Sequence, residues 1–233
     1  MTKLKNLLIA VITITSMSTA ALAGSFGFGV SGSLFHVGAS GTELEAGATD
    51  EINNKANASN NGYLGSIFAE YTFDGFNGLT IGVDHIPGSA DVNSSSLKRT
   101  DIQTSVEDTD TTVATSIDRT AQAEVENHMT YYVELPFGGS GIYGKLGHVE
   151  MDVNTTENLG TPKYGNSSVD GTMFGLGFKH NSDSNWFYKV EATHTEFDTL
   201  NLTSTGNTTD STANKITADL DVTKASFALG FSF

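Results

Sequence analysis

The chain has 233 residues, 38% of them hydrophobic and 17% charged, which suits one globular or membrane domain better than two. Its net charge of -15 argues against a nucleic-acid-binding surface, so no nucleic-acid partner is predicted. The absence of cysteine excludes a disulfide scaffold, a thiol catalyst and a lipid-modified cysteine.

The first 23 residues have the three parts of a secretory signal peptide. Lys3 and Lys5 form a basic start, residues 7–14 are apolar, and Ala23 ends an A-x-A cleavage motif. The apolar run is much shorter than the ~20 residues that a membrane-spanning helix needs. We therefore predict a signal peptide at 1–23, cleavage after Ala23, and one exported domain at 24–233.

Short segments that alternate apolar and polar residues fill the rest of the chain. A period of two is the signature of a strand with two different faces. The eight segments lie at 26–34, 63–73, 79–84, 129–137, 142–147, 174–179, 186–193 and 224–233. Each is about as long as a tilted strand that crosses a bilayer.

The connections between these segments alternate in length. Those at 74–78, 138–141 and 181–185 are short, which is typical of periplasmic turns. The others, at 39–61, 86–127, 150–170 and 196–216, are long and rich in Asn, Ser, Thr and Asp. We predict four long outer loops, in which stretches such as 111–126 could continue as strands. A further hairpin within 86–127 would give ten strands.

The closing segment ends the sequence on an aromatic residue, after regular alternation through Phe227, Leu229, Phe231 and Phe233. This resembles the last strand of bacterial outer-membrane barrels, which the assembly machinery reads. Together with the signal peptide, the strand pattern and the unequal connections, it makes the chain resemble the small outer-membrane β-barrel family of the OmpA transmembrane domain, OmpX and the neisserial surface proteins. The resemblance implies an all-β, eight-stranded antiparallel up-and-down transmembrane β-barrel in the outer membrane of a Gram-negative bacterium.

Alternation alone does not tell which face is outside, because a secreted lipocalin-like barrel also alternates, with its apolar face inward. Two features favour the membrane barrel. The non-apolar face carries glycines and charges of both signs. The apolar face begins or ends near Phe73, Phe137, Trp186 and Phe233, as an aromatic girdle would.

Charged residues on the predicted inner face balance to zero. They are Glu70, Asp84, Glu134, Lys145, Lys179, Lys189, Glu191 and Lys224. Opposite charges that pair and hydrogen-bond can offset the cost of burial in a narrow lumen. We therefore predict an ion-pair network that plugs the barrel, with a narrow channel lined by the same pairs as the alternative.

The long connections with their flanking residues, 39–62, 85–127, 149–170 and 195–222, are each net acidic, by three to five charges. This charge favours solvation and mutual repulsion at a surface of outer-membrane lipid and lipopolysaccharide. A sharper hypothesis is that divalent cations bridge loop carboxylates to lipopolysaccharide phosphates. The candidate spots are Asp108-Thr109-Asp110 and Asp219-Leu220-Asp221.

Five histidines fall near the loop-side ends of the predicted strands: His36, His85, His128, His148 and His194. All but His128 share the parity of the lipid-facing residues, which is typical of an interfacial belt. No metal site is expected, because separate strands on an outer wall do not converge.

Catalysis receives little support from the sequence. Residues 178–182 resemble a His-x-Ser segment of the lipid A deacylases, but they fall at a predicted periplasmic turn. The sequence therefore predicts a monomeric barrel without enzyme activity or cofactor, whose role is structural or surface-interacting. A narrow porin-like channel is the alternative, and a lipid-modifying enzyme is a more distant one.

Overall fold

The computed structural model describes residues 23–45, 52–92, 97–107, 111–157, 163–205 and 213–233. Over these ranges the chain is almost entirely antiparallel β-structure. The strands are β1 (Gly24–Glu45), β2 (Ile52–Phe73), β3 (Thr80–Asp91), β4 (Leu97–Glu107), β5 (Thr111–Pro136), β6 (Ile142–Glu157), β7 (Ser167–Asn181), β8 (Trp186–Phe197), β9 (Leu200–Thr203) and β10 (Lys215–Ser232). None of the helices within these ranges has the length and hydropathy of a membrane-spanning helix.

Eight of the strands form a closed ring in the order β1-β2-β3-β5-β6-β7-β8-β10. The ring closes where β10 pairs with β1, from Gly27 opposite Ser232 to Leu44 opposite Lys215. This confirms the predicted eight-stranded antiparallel barrel. The further hairpin that was left open does exist, since β4 pairs with the upper part of β5. Neither β4 nor the short β9, which pairs with β10, is part of the ring.

The three short connections are tight turns at the end of the barrel where the termini lie. Two contain single-turn 3-10 helices, Asp74–Phe76 and Gly138–Ser140. Asn77, Asn185 and Gly141 adopt positive φ angles of 56°, 65° and 80°. Asn and Gly are the residues that tolerate this backbone region, which explains why the turns fall at these positions.

The predicted long outer loops are largely strand, and that part of the prediction is wrong. β1 and β2 have 22 residues each, about twice the roughly 9–11 that cross a bilayer. β5 has 26 residues and includes 111–126, so the predicted continuation of strands there is confirmed. These segments belong to a barrel wall that continues well beyond the length needed to cross a bilayer.

The two faces of the wall exchange character along the strands. On β6 the inward residues are Tyr143, Lys145 and Gly147 in the lower half, and the buried Val149, Met151 and Val153 in the upper half. The outward residues change from apolar, such as Leu146, to acidic, such as Glu150. Apolar groups face out in the lower half, as expected for a wall surrounded by lipid, whereas the upper half buries its apolar groups inside.

A gap interrupts the wall between β2 and β3. Within the described ranges, their pairing runs only from Ile67 opposite His85 to Thr72 opposite Thr80. Pro87 follows shortly on β3 and has no N–H to donate to a ladder. Gly88 then adopts φ 87°, and the register with β5 shifts between Ile86 and Ser89. The sequence of β3 therefore ends its pairing with β2 at this height.

Luminal aromatic side chains lie over glycines directly opposite on the neighbouring strand. These cross-strand pairs are Gly29–Phe68, Gly82–Tyr132, Gly177–Tyr143 and Gly230–Phe187. A Cβ atom at any of these glycines would overlap the opposing ring. The rings can lie flat across the narrow lumen only because the glycines leave that space open.

Replacing Gly230 by Ala should lower the free energy of unfolding by about 1–3 kcal/mol, the usual cost of overpacking a core. Urea unfolding in lipid vesicles measures it. Gly32→Ala on β1 is the matched control, because no atom lies within 4 Å of its added Cβ. Equal stability of the two variants would contradict the close approach of Phe187 to Gly230.

Candidate functional site

A cluster of buried charges occupies the lower lumen. At its centre is the Lys189 ammonium group on β8, whose residue is 2% exposed. Lys189 donates to Glu134 Oε1 on β5 at 2.7 Å and to Glu70 Oε2 on β2. One lysine thus ties together three strands from different sides of the ring.

Two further lysines complete the cluster. Lys145 on β6 donates to both carboxylate oxygens of Glu191, at 2.8 and 3.0 Å, and lies 3.6 Å from Glu134. Lys179 on β7 donates to Glu70 Oε1 at 2.7 Å. The luminal network, as we call these three lysines with Glu70, Glu134 and Glu191, is therefore continuous and electrically balanced.

Aromatic side chains surround the luminal network. Tyr143 donates to Glu191 at 2.6 Å, and Tyr132 donates to Glu70 at 3.2 Å. The Lys145 ammonium lies 3.9 Å from the centre of the Tyr132 ring, and that of Lys179 lies 4.4 Å from the centre of the Phe187 ring. Such cation–π contacts help to offset the loss of water around each lysine.

Phe68 and Phe187 are not among the residues predicted for the lumen, although both are buried in it. Phe68 has the same parity as Glu70 on β2, and Phe187 has the same parity as Lys189 on β8. The period of two therefore carried the signal. They are absent from the predicted lumen because the predicted inner face was defined by its polar residues, and both side chains are apolar.

Asp84 and Lys224, also predicted for the network, lie in the lumen but outside the luminal network. Asp84 accepts a 2.6 Å hydrogen bond from Ser66, and its Oδ1 has no partner among the described residues. Lys224 has no hydrogen bond or ion pair there. Both line a void of ≈ 10 Å³ above the network, about the room that one water needs.

The closing strand places the predicted assembly residues on the outer face. Phe227, Leu229 and Phe233 are exposed, and Phe231 packs edge-on against Trp186 with ring centres 5.4 Å apart. The backbone N–H of Phe233 donates to the carbonyl of Phe26 at 2.9 Å, which completes the seam with β1. The apolar side chains around this seam form a belt suited to a lipid environment.

A closed ring with apolar residues outside and paired charges inside is the architecture of an outer-membrane barrel. The family model described as "Outer membrane protein beta-barrel domain" matches residues 7–233. The chain belongs to this family. Membership implies location in the outer membrane. No curated protein sequence matches the chain.

Solved structures with a similar fold include other outer-membrane barrels. Neisserial surface protein A is 13% identical, with a TM-score of 0.41 over 88% of this chain and 97% of that one. OprG from Pseudomonas aeruginosa is 10% identical, with a TM-score of 0.46 over 91% and 97%. The outer membrane protease OmpT from Escherichia coli is 9% identical, with a TM-score of 0.47 over 93% and 100%.

Five of the six histidines, all except His180, lie where the outer wall changes from apolar to polar. His36 Nδ1 is 2.8 Å from Asn61 Oδ1, and His194 Nδ1 is 2.9 Å from Thr223 Oγ1, both on the outer face. His128 faces inward instead, in agreement with its parity, and its Nδ1 is buried without a partner among the described residues. His36, His85, His148 and His194 therefore follow the boundary between the apolar and the polar outer wall.

The expectation that strands on the outer wall do not converge fails at one place. Register brings Glu150 on β6 opposite Asp170 on β7, with His148 two residues away. One ligand atom from each of the three lies within 4.8 Å of the others.

The two predicted cation spots have different outcomes. Residues 108–110 lie outside the described residues. Asp219 and Asp221 lie on β10, and Asp219 accepts a hydrogen bond from Thr199.

Replacing Glu134 by Gln should lower the free energy of unfolding by about 3–5 kcal/mol, because it removes the charge that Lys189 and Lys145 share in a buried site. Urea unfolding in lipid vesicles provides the measurement. Glu196→Gln serves as the control, since the Glu196 side chain is 73% exposed and exposed pairs contribute little. Unchanged stability of Glu134→Gln would contradict the role given to the luminal network.

Proposed function

We propose that the protein is a non-conducting outer-membrane barrel with a structural or surface-interaction role. In this proposal the luminal network plugs the barrel, and the wall beyond the membrane is the part that meets other molecules. The protein acts as a monomer without a catalytic step. The segment 178–182, which resembles part of a deacylase motif, ends β7 and begins the turn to β8.

The observation that carries the proposal is the continuity of the luminal network. Its ion pairs join β2, β5, β6, β7 and β8 across the lumen, and Glu70, Glu134 and Lys189 are all nearly inaccessible to solvent. The void of ≈ 10 Å³ above it accommodates one water rather than a file of hydrated ions. An ion that entered would have to break several charge-assisted hydrogen bonds.

The negative charge on the outer face of the upper wall supports a surface role. Exposed carboxylates such as those of Glu196 and Asp219 stand on its outer face. In a crowded anionic surface of lipopolysaccharide, this charge keeps the rigid wall solvated and apart from its neighbours. Divalent cations held between these carboxylates and lipid phosphates would convert the repulsion into attachment.

Single-channel conductance in a planar bilayer tests the plug. The native protein should be silent, whereas Lys145→Ala combined with Lys189→Ala should leak, because Glu134 and Glu191 then lose their lysine partners and repel each other in an opened lumen. Lys163→Ala with Lys215→Ala, which removes two exposed lysines, should remain silent. Discrete conductance steps in the native protein would instead favour a narrow channel for small solutes.

The assembly machinery is a second proposed partner, through the closing strand. Phe233→Ser should reduce the amount of heat-resistant barrel in the outer membrane severalfold, because Phe233 is 68% exposed and available to be read. Phe76→Ser, an exposed aromatic at a turn, is the control. The purified Phe233→Ser variant should still refold spontaneously, which separates recognition from stability. An unchanged amount in cells would contradict the assembly role.

A further inference from the structure

The gap between β2 and β3 leads into an apolar cavity in the upper lumen. Its lower edge is the last paired residue, Ile67, which is 54% exposed within the apolar outer band. Its upper edge is a bond across the gap, from Asn60 Nδ2 to the carbonyl of Asp91 at 3.0 Å. Between them stands Tyr63, whose side chain is 86% exposed. The gap therefore has defined edges and borders the lipid.

The cavity behind the gap has a volume of ≈ 290 Å³ and is lined mainly by apolar side chains. Val37, Val125, Met151, Met173, Leu220 and Val222 contribute to its walls. Val125 faces inward because the register of β5 shifts between Glu126 and Met129, with Asn127 at φ 54°. The register shift on β5 forms the cavity, and Pro87 and Gly88 on β3 form its entrance.

The floor of this cavity is polar and lacks partners. Thr130 is 2% exposed, and its Oγ1 has no hydrogen-bond partner among the described residues. His128 Nδ1, which also lines the cavity, is likewise buried without one there. The Lys224 ammonium group lines the cavity beside them. Asp84 does not line this cavity; it lies below, at the void of ≈ 10 Å³. Buried polar groups are nearly always satisfied, so Thr130 and His128 together mark a place for a polar group of a ligand.

We propose that this cavity binds a single-chain amphiphile with a carboxylate head, of the fatty-acid class. The chain enters through the gap from the outer leaflet and lies against Met151, Met173 and Val222. The carboxylate accepts hydrogen bonds from Lys224, Thr130 and His128. This binding is independent of the proposed plug, which lies beneath the floor and closes the way to the periplasm.

Size and charge select this ligand class. A volume of ≈ 290 Å³ is at the small end of the roughly 300–1,000 Å³ typical of ligand pockets. It suits one medium-length chain and is too small for the several chains of a phospholipid or of lipid A. A head that can only accept hydrogen bonds complements a lysine and a buried hydroxyl, whereas a cationic head would meet the unpaired Lys224.

Equilibrium dialysis of radiolabelled decanoate against the full protein in lipid nanodiscs tests the proposal, with empty nanodiscs as the baseline. Saturable binding near one decanoate per protein is expected above that baseline. Lys224→Met should weaken decanoate binding about tenfold, equivalent to about 1.4 kcal/mol, and leave decanol binding unchanged. Lys215→Met, an exposed lysine on the same strand, is the matched control and should bind decanoate normally.

Two variants that fill the cavity from different strands, Val222→Trp and Val125→Phe, should each abolish binding of both probes while the heat-resistant barrel persists. Binding no greater than to empty nanodiscs would overturn the proposal. Normal decanoate binding by both filled variants would also overturn it. An equal loss of decanoate and decanol in Lys224→Met would overturn the assignment of the head group to the polar floor.

Discussion

The pairing of charges inside a lumen that lipid surrounds is the constraint on which the rest of the barrel depends. Lys189 is only 2% exposed, so its position is set by its bonds to Glu70 and Glu134. The aromatic rings that pack around these groups need glycines opposite them, and those glycines fix which residues of neighbouring strands face each other. Charge balance, ring packing and strand register are therefore one arrangement and not three separate features.

Above the luminal network, the inner face of the same wall is apolar instead of charged. Residues such as Val149 and Met151 on β6 fill the interior there, while Glu150 between them faces outward. The upper lumen is therefore a small apolar core, and its cavity exists because Pro87 ends the pairing of β3 with β2. A barrel of this kind can keep its lumen closed below and still offer an apolar pocket above.

Much of the fold follows from the sequence, because a period of two, short turns and a closing aromatic strand are local signals. Membership of Glu134 and Lys189 in the lumen also follows from parity alone. The ion-pair partners of these two residues do not follow from the sequence, because pairing across the ring depends on the shear of the barrel and on bulges such as the one at Asn127. The upper strands are hard to recognise in the sequence, because the period of two continues through Val149 and Glu150 with the polarity of its two faces reversed.

A double-mutant cycle between Glu134→Gln and Lys189→Met, read as the free energy of unfolding in lipid vesicles, tests the central claim most directly. Each single variant leaves an unbalanced charge in the lumen. The double variant leaves two complete pairs, Glu70 with Lys179 and Glu191 with Lys145. The account predicts that the double variant is more stable than the sum of the single losses implies, by at least about 1 kcal/mol. Additive losses would contradict it.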